Sequence, residues 1–498
     1  MACALALALL AVFAAVPRPC YAAEANMVVT DPAVYAGFAA SQQAANGTTV
    51  QIALGDHDLQ TLLVRVSGDG FDQIPYLSSN TTRQVGLITD VDLQTYLKTG
   101  QGLQADFGQT DLAQNADLYH QVAELKGYVV GAFLAYAALC FLLTLAMLLH
   151  LWLKRPGRWP QRLTCAAWQL ALSLIVGSLL MWLWVPPLAS GAQLLSLWLG
   201  WALLVFLLSL VLERASCTHL GLGFLSALTV LVIALDLVCG GNLSRFGFFT
   251  YGIFRTYRYF GIDNELSASL FAALIIFSGW MLERQRILSR RSGQAQTEQQ
   301  GKCRPSSYAL INFPIVGLLL IMICALPGAG ASYGPIIWAL FALFWAWWLF
   351  CGWRVRWYVV LLSVVVPVAL AVAVLALDLG FSGGSHLGNL ASAMHQGLPA
   401  LFEATFLQSM GQNLKFVLAA LPLPVLIVYI LVFLVLVYCR IWRFTGFWQV
   451  HRRFAASFAA CLIMAGALML VEDSGFYASV FALVFAFAAL PFRVLERD

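Results

Sequence analysis

The chain has 498 residues, of which 61% are hydrophobic and 10% charged, and its formal net charge is +4. This composition leaves too little polar surface to cover a water-soluble protein of this length. It therefore excludes a soluble globular protein and indicates a polytopic membrane protein. The positive charge does not favour nucleic-acid binding, because an uneven distribution of Lys and Arg across a bilayer accounts for it. The 11 cysteines form no CxxC pair and predict neither a disulfide framework nor a metal site.

Residues 1–23 are predicted to be a secretory signal peptide. An apolar core at 4–16 is followed by the helix-breaking Pro17 and by small residues at Ala22 and Ala23, where a peptidase can cut. No Lys or Arg precedes the apolar core, so an uncleaved membrane anchor stays open as the alternative. Either way, the region that follows begins outside the cytoplasm.

Residues 24–126 are the one sizeable polar region and are predicted to form a small extracytoplasmic α/β module. Leu62, Val64 and Val66 stand at every second position and would share one face of a strand, as expected for a strand with one buried face. No constellation of metal ligands or of a nucleophile with its base is present in this region. We interpret the module as a folded cap without chemistry of its own.

Residues 127–492 contain eleven apolar segments with the length and composition of membrane-spanning helices. They are 128–153, 163–184, 194–212, 220–238, 266–282, 308–326, 335–351, 357–379, 416–438, 454–471 and 476–491. The predicted fold class is therefore an all-α polytopic membrane protein with about eleven transmembrane helices, preceded by the small α/β module.

The distribution of Lys and Arg predicts the orientation of these helices. With the N-terminal module outside, most basic residues fall in cytoplasmic connections, and the C-terminus is cytoplasmic. The longest of these connections, 283–307, is predicted to be a basic cytoplasmic linker in contact with anionic lipid. The exception is an outer trio of basic residues, Arg245, Arg255 and Arg258.

This outer trio lies in the loop 240–265, among many Phe and Tyr residues. Arginine side chains in such a loop can hold a phosphate while the rings cover a lipid chain or a sugar. Aromatic residues at a membrane interface are also typical of a belt that anchors helices at headgroup level. Both interpretations remain open from the residues alone.

Two further polar clusters are predicted to share the outer side. The loop 381–415 contains the sequence SGGSH at 382–386, and the turn 472–475 reads EDSG. The candidate catalytic residues are Glu265, Asp473 and His386. The candidate substrate-binding residues are Arg245, Arg255, Arg258, Asn264, Gly383, Gly384 and Ser474. Helix capping by Glu265 and by the turn, and a flexible linker at the loop, are the structural alternatives.

The clusters 258–265 (RYFGIDNE), 380–384 (GFSGG) and 472–475 (EDSG) occur in a characteristic order. Together they resemble three motifs of a group of uncharacterised bacterial multi-span membrane proteins, in which an alkaline-phosphatase-like extracytoplasmic domain precedes the membrane domain. The stretches 78–89 and 92–95 resemble the closing segment of that domain. The resemblance implies that 24–126 is a truncated remnant of it, without the part that would hold metal ligands.

Two functional hypotheses of different classes follow. In the first, an integral protein of the bacterial plasma membrane binds or transfers a lipid-linked anionic precursor, such as a polyprenyl-linked glycan or phosphate, at its outer face. In the second, the protein transports or flips a solute or a lipid, although proton- and ion-coupled carriers usually keep a charge deep within a span. A non-enzymatic envelope assembly protein is a further alternative. No cofactor is indicated.

Overall fold

The computed structural model describes strands between residues 28 and 106, isolated positions between 96 and 146, and residues 158–249, 261–291, 311–381, 411 and 452–489 with short gaps. The chain falls into two compact units. The first comprises Met1–Val129, Leu180–Leu197 and Gly252–Phe260, and the second comprises Val130–Leu179, Trp198–Tyr251 and Gly261–Asp498.

The described part of the N-terminal region contains six strands. They are β1 (Val28–Val29), β2 (Ser41–Gln43), β3 (Thr49–Leu54), β4 (Thr61–Ser67), β5 (Tyr76–Ser79) and β6 (Leu103–Asp106). The first four form an antiparallel sheet in the order β1-β4-β3-β2, and β5 pairs with β6. Val64 lies opposite Ile52, and Leu62 lies opposite Leu54. The alternation seen in the sequence therefore belongs to a strand, while the α/β class of the whole module stays a prediction.

The described remainder of the chain is helical. Its α-helices are α1 (Arg158–Leu180), α2 (Gly191–Arg214), α3 (Leu220–Val238), α4 (Asn264–Arg291), α5 (Phe313–Ala325), α6 (Gly334–Cys351), α7 (Trp357–Phe381), α8 (Arg452–Val471) and α9 (Gly475–Ala489). A single 3-10 turn, Met181–Trp184, extends α1.

Six helices within the described residues are long and apolar enough to cross a membrane, namely α1, α2, α3, α4, α6 and α8. Shorter apolar helices add α5, α9 and the first part of α7. These helices make the chain compatible with an integral membrane protein. The predicted count of eleven spans stays a prediction, because span 416–438 and most of span 128–153 lie outside the described residues.

Helix α4 is the centre of the second unit and packs against α3, α6, α8 and α9. In the most apolar stretch of α4, 89% of the residues are buried, whereas in that of α2 only 28% are buried. In α2, the side chains of Leu203, Leu204 and Leu207 each expose about half of their surface. Such an exposed apolar surface is unfavourable in water, but it suits the hydrocarbon core of a bilayer.

Small residues let these helices approach closely. A Cβ atom on Gly177 of α1 would lie 2.7 Å from the backbone nitrogen of Ala202 in α2. A Cβ on Gly279 of α4 would collide with the hydroxyl of Ser457 in α8. Close backbone contact through Gly, Ala and Ser is typical of helix pairs in membranes, where packing replaces the hydrophobic driving force.

The helices of the second unit define two ends. At the Ser474 end, α4, α6 and α9 begin and α8 ends, as the contacts described below establish. At the Arg452 end, the Arg452 guanidinium at the start of α8 donates a hydrogen bond to the Gly352 carbonyl just after α6, at 3.2 Å. These names are used for the two ends throughout.

Helix α4 extends beyond the apolar segment that the sequence marks. It ends at Arg291, whereas the predicted span ends at 282, so the first nine residues of the predicted basic linker are helical. Glu283 is 2% exposed and pairs with Arg286 at 3.8 Å, one turn further along. Glu, Arg, Gln and Leu are good helix formers, and hydropathy alone cannot follow a helix into a polar sequence.

Candidate functional site

Asn264 and Ser474 join the beginnings of two helices. The Asn264 side-chain amide donates a hydrogen bond to the Ser474 hydroxyl at 3.0 Å, across 210 residues of sequence. Asn264 is the first residue of α4, and Ser474 directly precedes α9, where its carbonyl accepts from the Ala478 amide at 3.1 Å. The positive ends of two helix dipoles therefore meet at this pair.

Glu472 connects the start of α6 to the same place. The Trp338 indole nitrogen donates a hydrogen bond to the Glu472 carboxylate at 2.8 Å, and Trp338 is fully buried. The carboxylate lies so close to Gly334, the first residue of α6, that a Cβ atom there would collide with it. An anion at the N-terminus of a helix is stabilised by the helix dipole.

The turn between α8 and α9 requires a glycine. The Glu472 amide donates to the Leu468 carbonyl at 3.1 Å, and the Gly475 amide donates to the Glu472 carbonyl at 3.2 Å. A Cβ atom on Gly475 would collide with the Leu468 carbonyl oxygen. The final glycine of the EDSG sequence is therefore explained by packing, whatever the turn binds.

Glu265 follows Asn264 in the first turn of α4 and is 1% exposed. Its backbone carbonyl accepts a hydrogen bond from the Ser269 hydroxyl at 2.9 Å. A carboxylate so deeply buried is costly in an apolar environment unless local dipoles or donors stabilise it. The position of Glu265 at a helix N-terminus supplies one such dipole.

The chain that leads into α4 is tied to the connection between α5 and α6. The Ile262 amide donates to the Gly330 carbonyl at 2.8 Å, and the Gly330 amide donates to the Ile323 carbonyl at 3.1 Å. The Ser332 amide donates to the Cys324 carbonyl at 2.9 Å. The end of α5, the loop after it and the start of α4 thus form one hydrogen-bonded unit.

Asp236 closes the turn that follows α3. Its two carboxylate oxygens accept from the amides of Leu243 and Ser244, each at 2.7 Å, and the residue is 1% exposed. A Cβ atom on Gly241 would lie 3.9 Å from the Ala329 carbonyl, which places this turn at the Ser474 end. Asp236 is therefore explained as a backbone-binding residue of the turn.

Two aromatic residues of the loop 240–265 belong to the core. Phe248 is fully buried and stacks on Trp198 at 4.3 Å between ring centroids. Phe249 is 2% exposed and contacts the Phe481 ring of α9 at 5.5 Å. The density of Phe in this loop is thus partly explained by packing, as well as by the two interpretations made from the sequence.

Of the predicted site residues, the structure describes Asn264, Glu265 and Ser474. It brings Asn264 and Ser474 into direct contact, with Glu265 adjacent to Asn264 in α4. The other predicted residues lie outside the described residues, namely Arg245, Arg255, Arg258, Gly383, Gly384, His386 and Asp473. Their roles stay predictions.

The described residues at the Ser474 end are acidic. In the segments 236–244, 261–265, 326–335 and 472–475, the described acidic residues are Asp236, Asp263, Glu265 and Glu472, and no residue is Lys or Arg. The nearest basic residues in sequence are the outer trio. Arg245 directly follows Ser244, which Asp236 holds, and Arg255 and Arg258 lie between the buried Phe249 and the anchored Ile262.

The structure contains a second polar cluster that sequence reasoning missed. The Glu213 carboxylate, near the end of α2, contacts the His219 imidazole at 2.8 Å and accepts from the Gly221 amide at 2.9 Å. Gln169 donates to the same carboxylate at 3.4 Å. His219 has a left-handed backbone conformation, with φ of 52°. The sequence hints at this cluster only through an acidic residue, Glu213, a few positions before a helix that starts Leu-Gly-Leu-Gly. We interpret the cluster as a cap of α3.

Among the described residues, no group of three or more His, Cys, Asp or Glu is arranged to hold a metal ion. No family model matches the chain, and neither a curated protein nor a solved structure matches it. No similarity to a known protein therefore indicates the function, and we infer it from the geometry of the Ser474 end.

Proposed function

We propose that this protein is an integral membrane protein that binds an anionic, lipid-linked precursor at the Ser474 end. The observation that carries the proposal is the anchoring of Ser244 and Ile262 at this end. Ser244 and Ile262, which flank the segment containing Arg245, Arg255 and Arg258, are both held by hydrogen bonds at this end. In this proposal, the trio acts together with the helix starts at this end.

The chemistry of this arrangement favours a phosphate or diphosphate group. Arginine binds phosphate oxygens through paired N–H donors, and helix N-termini favour negative charge. Glu265 and Glu472, which stand among those N-termini, can position the arginines or accept a proton. In this proposal Arg245, Arg255 and Arg258 hold the phosphate, Asn264 and Ser474 orient it, and Glu265 or Asp473 is the candidate base for a transfer step.

The remaining parts of the proposal concern topology. The proposed topology has eleven spans, an N-terminal module outside the bacterial plasma membrane and a C-terminus in the cytoplasm. Support comes from the asymmetry of Lys and Arg along the sequence. The resemblance to multi-span proteins with a phosphatase-like domain points to the same location in the cell envelope.

Transport of a solute is less well supported, because packed side chains fill the space along α4 between its two buried carboxylates. Glu265 and Glu283 are both buried on α4, eighteen residues or five turns apart, so they share a face at a separation of about 27 Å. Between them, Gly279 packs against Ser457, and the Cys461 thiol contacts the Ala272 carbonyl at 4.0 Å. Close packing of α8 on this face favours a binding or structural role over a solute path along α4.

The decisive test is a profile of lipid-linked glycan intermediates in host membranes. It compares wild type, a deletion, Glu265→Gln and the control Glu283→Gln at matched protein level. We expect one intermediate to accumulate in the deletion and in Glu265→Gln, with Glu283→Gln resembling wild type. The control removes an equally buried carboxylate from the same helix face, but at the Arg452 end.

Two outcomes would contradict the proposal. An unchanged profile in the deletion would remove lipid-linked precursors from consideration and favour solute transport or assembly. Accumulation in both glutamine variants would mean that loss of any buried carboxylate of α4 impairs the protein, so the Ser474 end would have no special role.

A further inference from the structure

The turn between α6 and α7 has a shape set by glycine. Gly352 has φ of +70°, and its amide donates to the Leu349 carbonyl at 3.1 Å. The Trp353 amide donates to the Trp348 carbonyl at 3.4 Å. This pair of bonds with a left-handed glycine is the Schellman arrangement that ends many helices. The residues after Gly352 are thereby directed away from α6.

The turn gathers exposed positive charge. Arg354 and Arg356 are both exposed, and so is Arg452, whose guanidinium is held by the Gly352 carbonyl. We call these three residues the basic turn. The segments 334–371 and 452–471, which comprise α6, most of α7 and α8, contain no Asp or Glu. Within these segments there is therefore no carboxylate to neutralise the charge.

Aromatic side chains surround the basic turn. Trp353, Trp357 and Tyr358 expose 38%, 77% and 40% of their surface. The Trp353 ring packs nearly perpendicular to the rings of Trp347 and Trp348, with centroid distances of 5.1 and 4.9 Å. Exposed Trp and Tyr next to arginine are typical of residues at the depth of lipid headgroups.

An apolar face continues from these rings along α7. Leu361, Val364 and Val365 each expose half or more of their surface, and Val368 exposes 45%. Along one side of the helix, the order is thus charge, then amphipathic rings, then aliphatic side chains. A phospholipid presents the matching order of phosphate, glycerol backbone and acyl chain.

We propose that the basic turn, together with Trp357 and Tyr358, binds an anionic phospholipid of the membrane leaflet at the Arg452 end. Its phosphate lies at Arg354 and Arg356, and its acyl chains lie along the exposed face of α7. The proposal is independent of the proposed function, because it concerns the opposite end of the helices and the bulk lipid of the bilayer.

A cross-linking experiment reads out this position directly. The full-length protein with Tyr358→p-benzoylphenylalanine is reconstituted in vesicles of equal phosphatidylglycerol and phosphatidylcholine, and the lipid adducts are weighed by mass spectrometry. We expect phosphatidylglycerol to be enriched over phosphatidylcholine by about fivefold for each arginine engaged. Arg354→Gln with Arg356→Gln is expected to bring the ratio close to one.

The control variant is Arg354→Lys with Arg356→Lys, which keeps the charge and is expected to retain most of the enrichment. A ratio of one with both arginines present would overturn the proposal, and so would an enrichment that survives the glutamine changes. Loss of adducts in the presence of millimolar inorganic phosphate would also overturn it, since the surface would then bind a water-borne anion. All three changed positions, Arg354, Arg356 and Tyr358, are exposed, so the variants are expected to fold, which size-exclusion chromatography checks.

Discussion

Glu472 shows how one residue of a short motif acquires a structural role. Its carboxylate accepts from the buried Trp338 indole and contacts Gly334, so that it ties the end of α8 to the start of α6. The sequence interpretation placed function on Asp473 and Ser474, and treated Glu472 as part of a tight turn. The structure adds that Glu472 depends on a partner 134 residues away.

Replacing Trp338 by Phe is expected to destabilise the protein by about 1.5–3 kcal/mol, the usual contribution of a hydrogen bond to a charged group. The smaller Phe ring also leaves a gap in the core, so the contribution of the indole N–H is the difference from a matched control. Trp168→Phe is the matched control, because Trp168 is fully buried and its indole nitrogen has no hydrogen-bond partner among the described residues. Thermal unfolding in detergent would compare the two. Equal midpoints would mean that the bond to Glu472 contributes nothing measurable.

At the scale of elements, the contact between α4 and α8 depends on small side chains. Gly279 leaves the space that the Ser457 hydroxyl occupies, and the Ser457 hydroxyl donates to the Arg453 carbonyl of its own helix at 3.1 Å. Sequence alone marks Gly279 as an unfavourable residue within a helix. The structure shows instead that glycine permits the close approach of the two helices.

Gly279→Ala is expected to destabilise the protein by about 1–3 kcal/mol, because the new methyl group forces α4 and α8 apart. Gly466→Ala in α8 is the control, since a Cβ atom there has no neighbour within 4 Å. This control is expected to be neutral or stabilising by up to about 1 kcal/mol, from helix propensity alone. The measurement is again the unfolding midpoint of the purified proteins. A stable Gly279→Ala variant would show that the helices separate without cost.

At the scale of the whole molecule, the two ends of the second unit differ in charge. The described Ser474 end carries Asp236, Asp263, Glu265 and Glu472, whereas the Arg452 end carries the basic turn. The difference agrees in direction with the placement of Lys and Arg that the sequence predicts, with the Ser474 end outside. The side of the membrane on which each end lies is part of the proposed function.

Thiol labelling of intact cells that express the protein tests this orientation. Cys239 follows α3 at the Ser474 end and is exposed, whereas Cys324, Cys351 and Cys461 are buried. A membrane-impermeant maleimide is expected to label the wild-type protein more strongly than Cys239→Ser. Arg356→Cys in the Cys239→Ser background, at the opposite end, is expected to add labelling only after lysis. The reverse pattern would invert the topology.

The sequence by itself determined the class of the protein and much of its helical framework. Helix α3 begins and ends at the predicted residues, and the ends of α6, α8 and α9 differ from prediction by two residues or fewer. Such agreement is expected where a span is uniformly apolar, because hydropathy is a local property. The prediction from hydropathy was wrong at the end of α4, where a polar sequence continues the helix to Arg291.

Only the tertiary structure decided which residues meet. Hydropathy placed Asn264 and Ser474 at the starts of two helices, but their hydrogen bond depends on how α4, α8 and α9 pack together. The same holds for the pairing of Glu472 with Trp338 and for the anchoring of Ile262 at Gly330. Contacts between residues this far apart in the sequence follow from the fit of small and large side chains between helices, which no local pattern of the sequence contains.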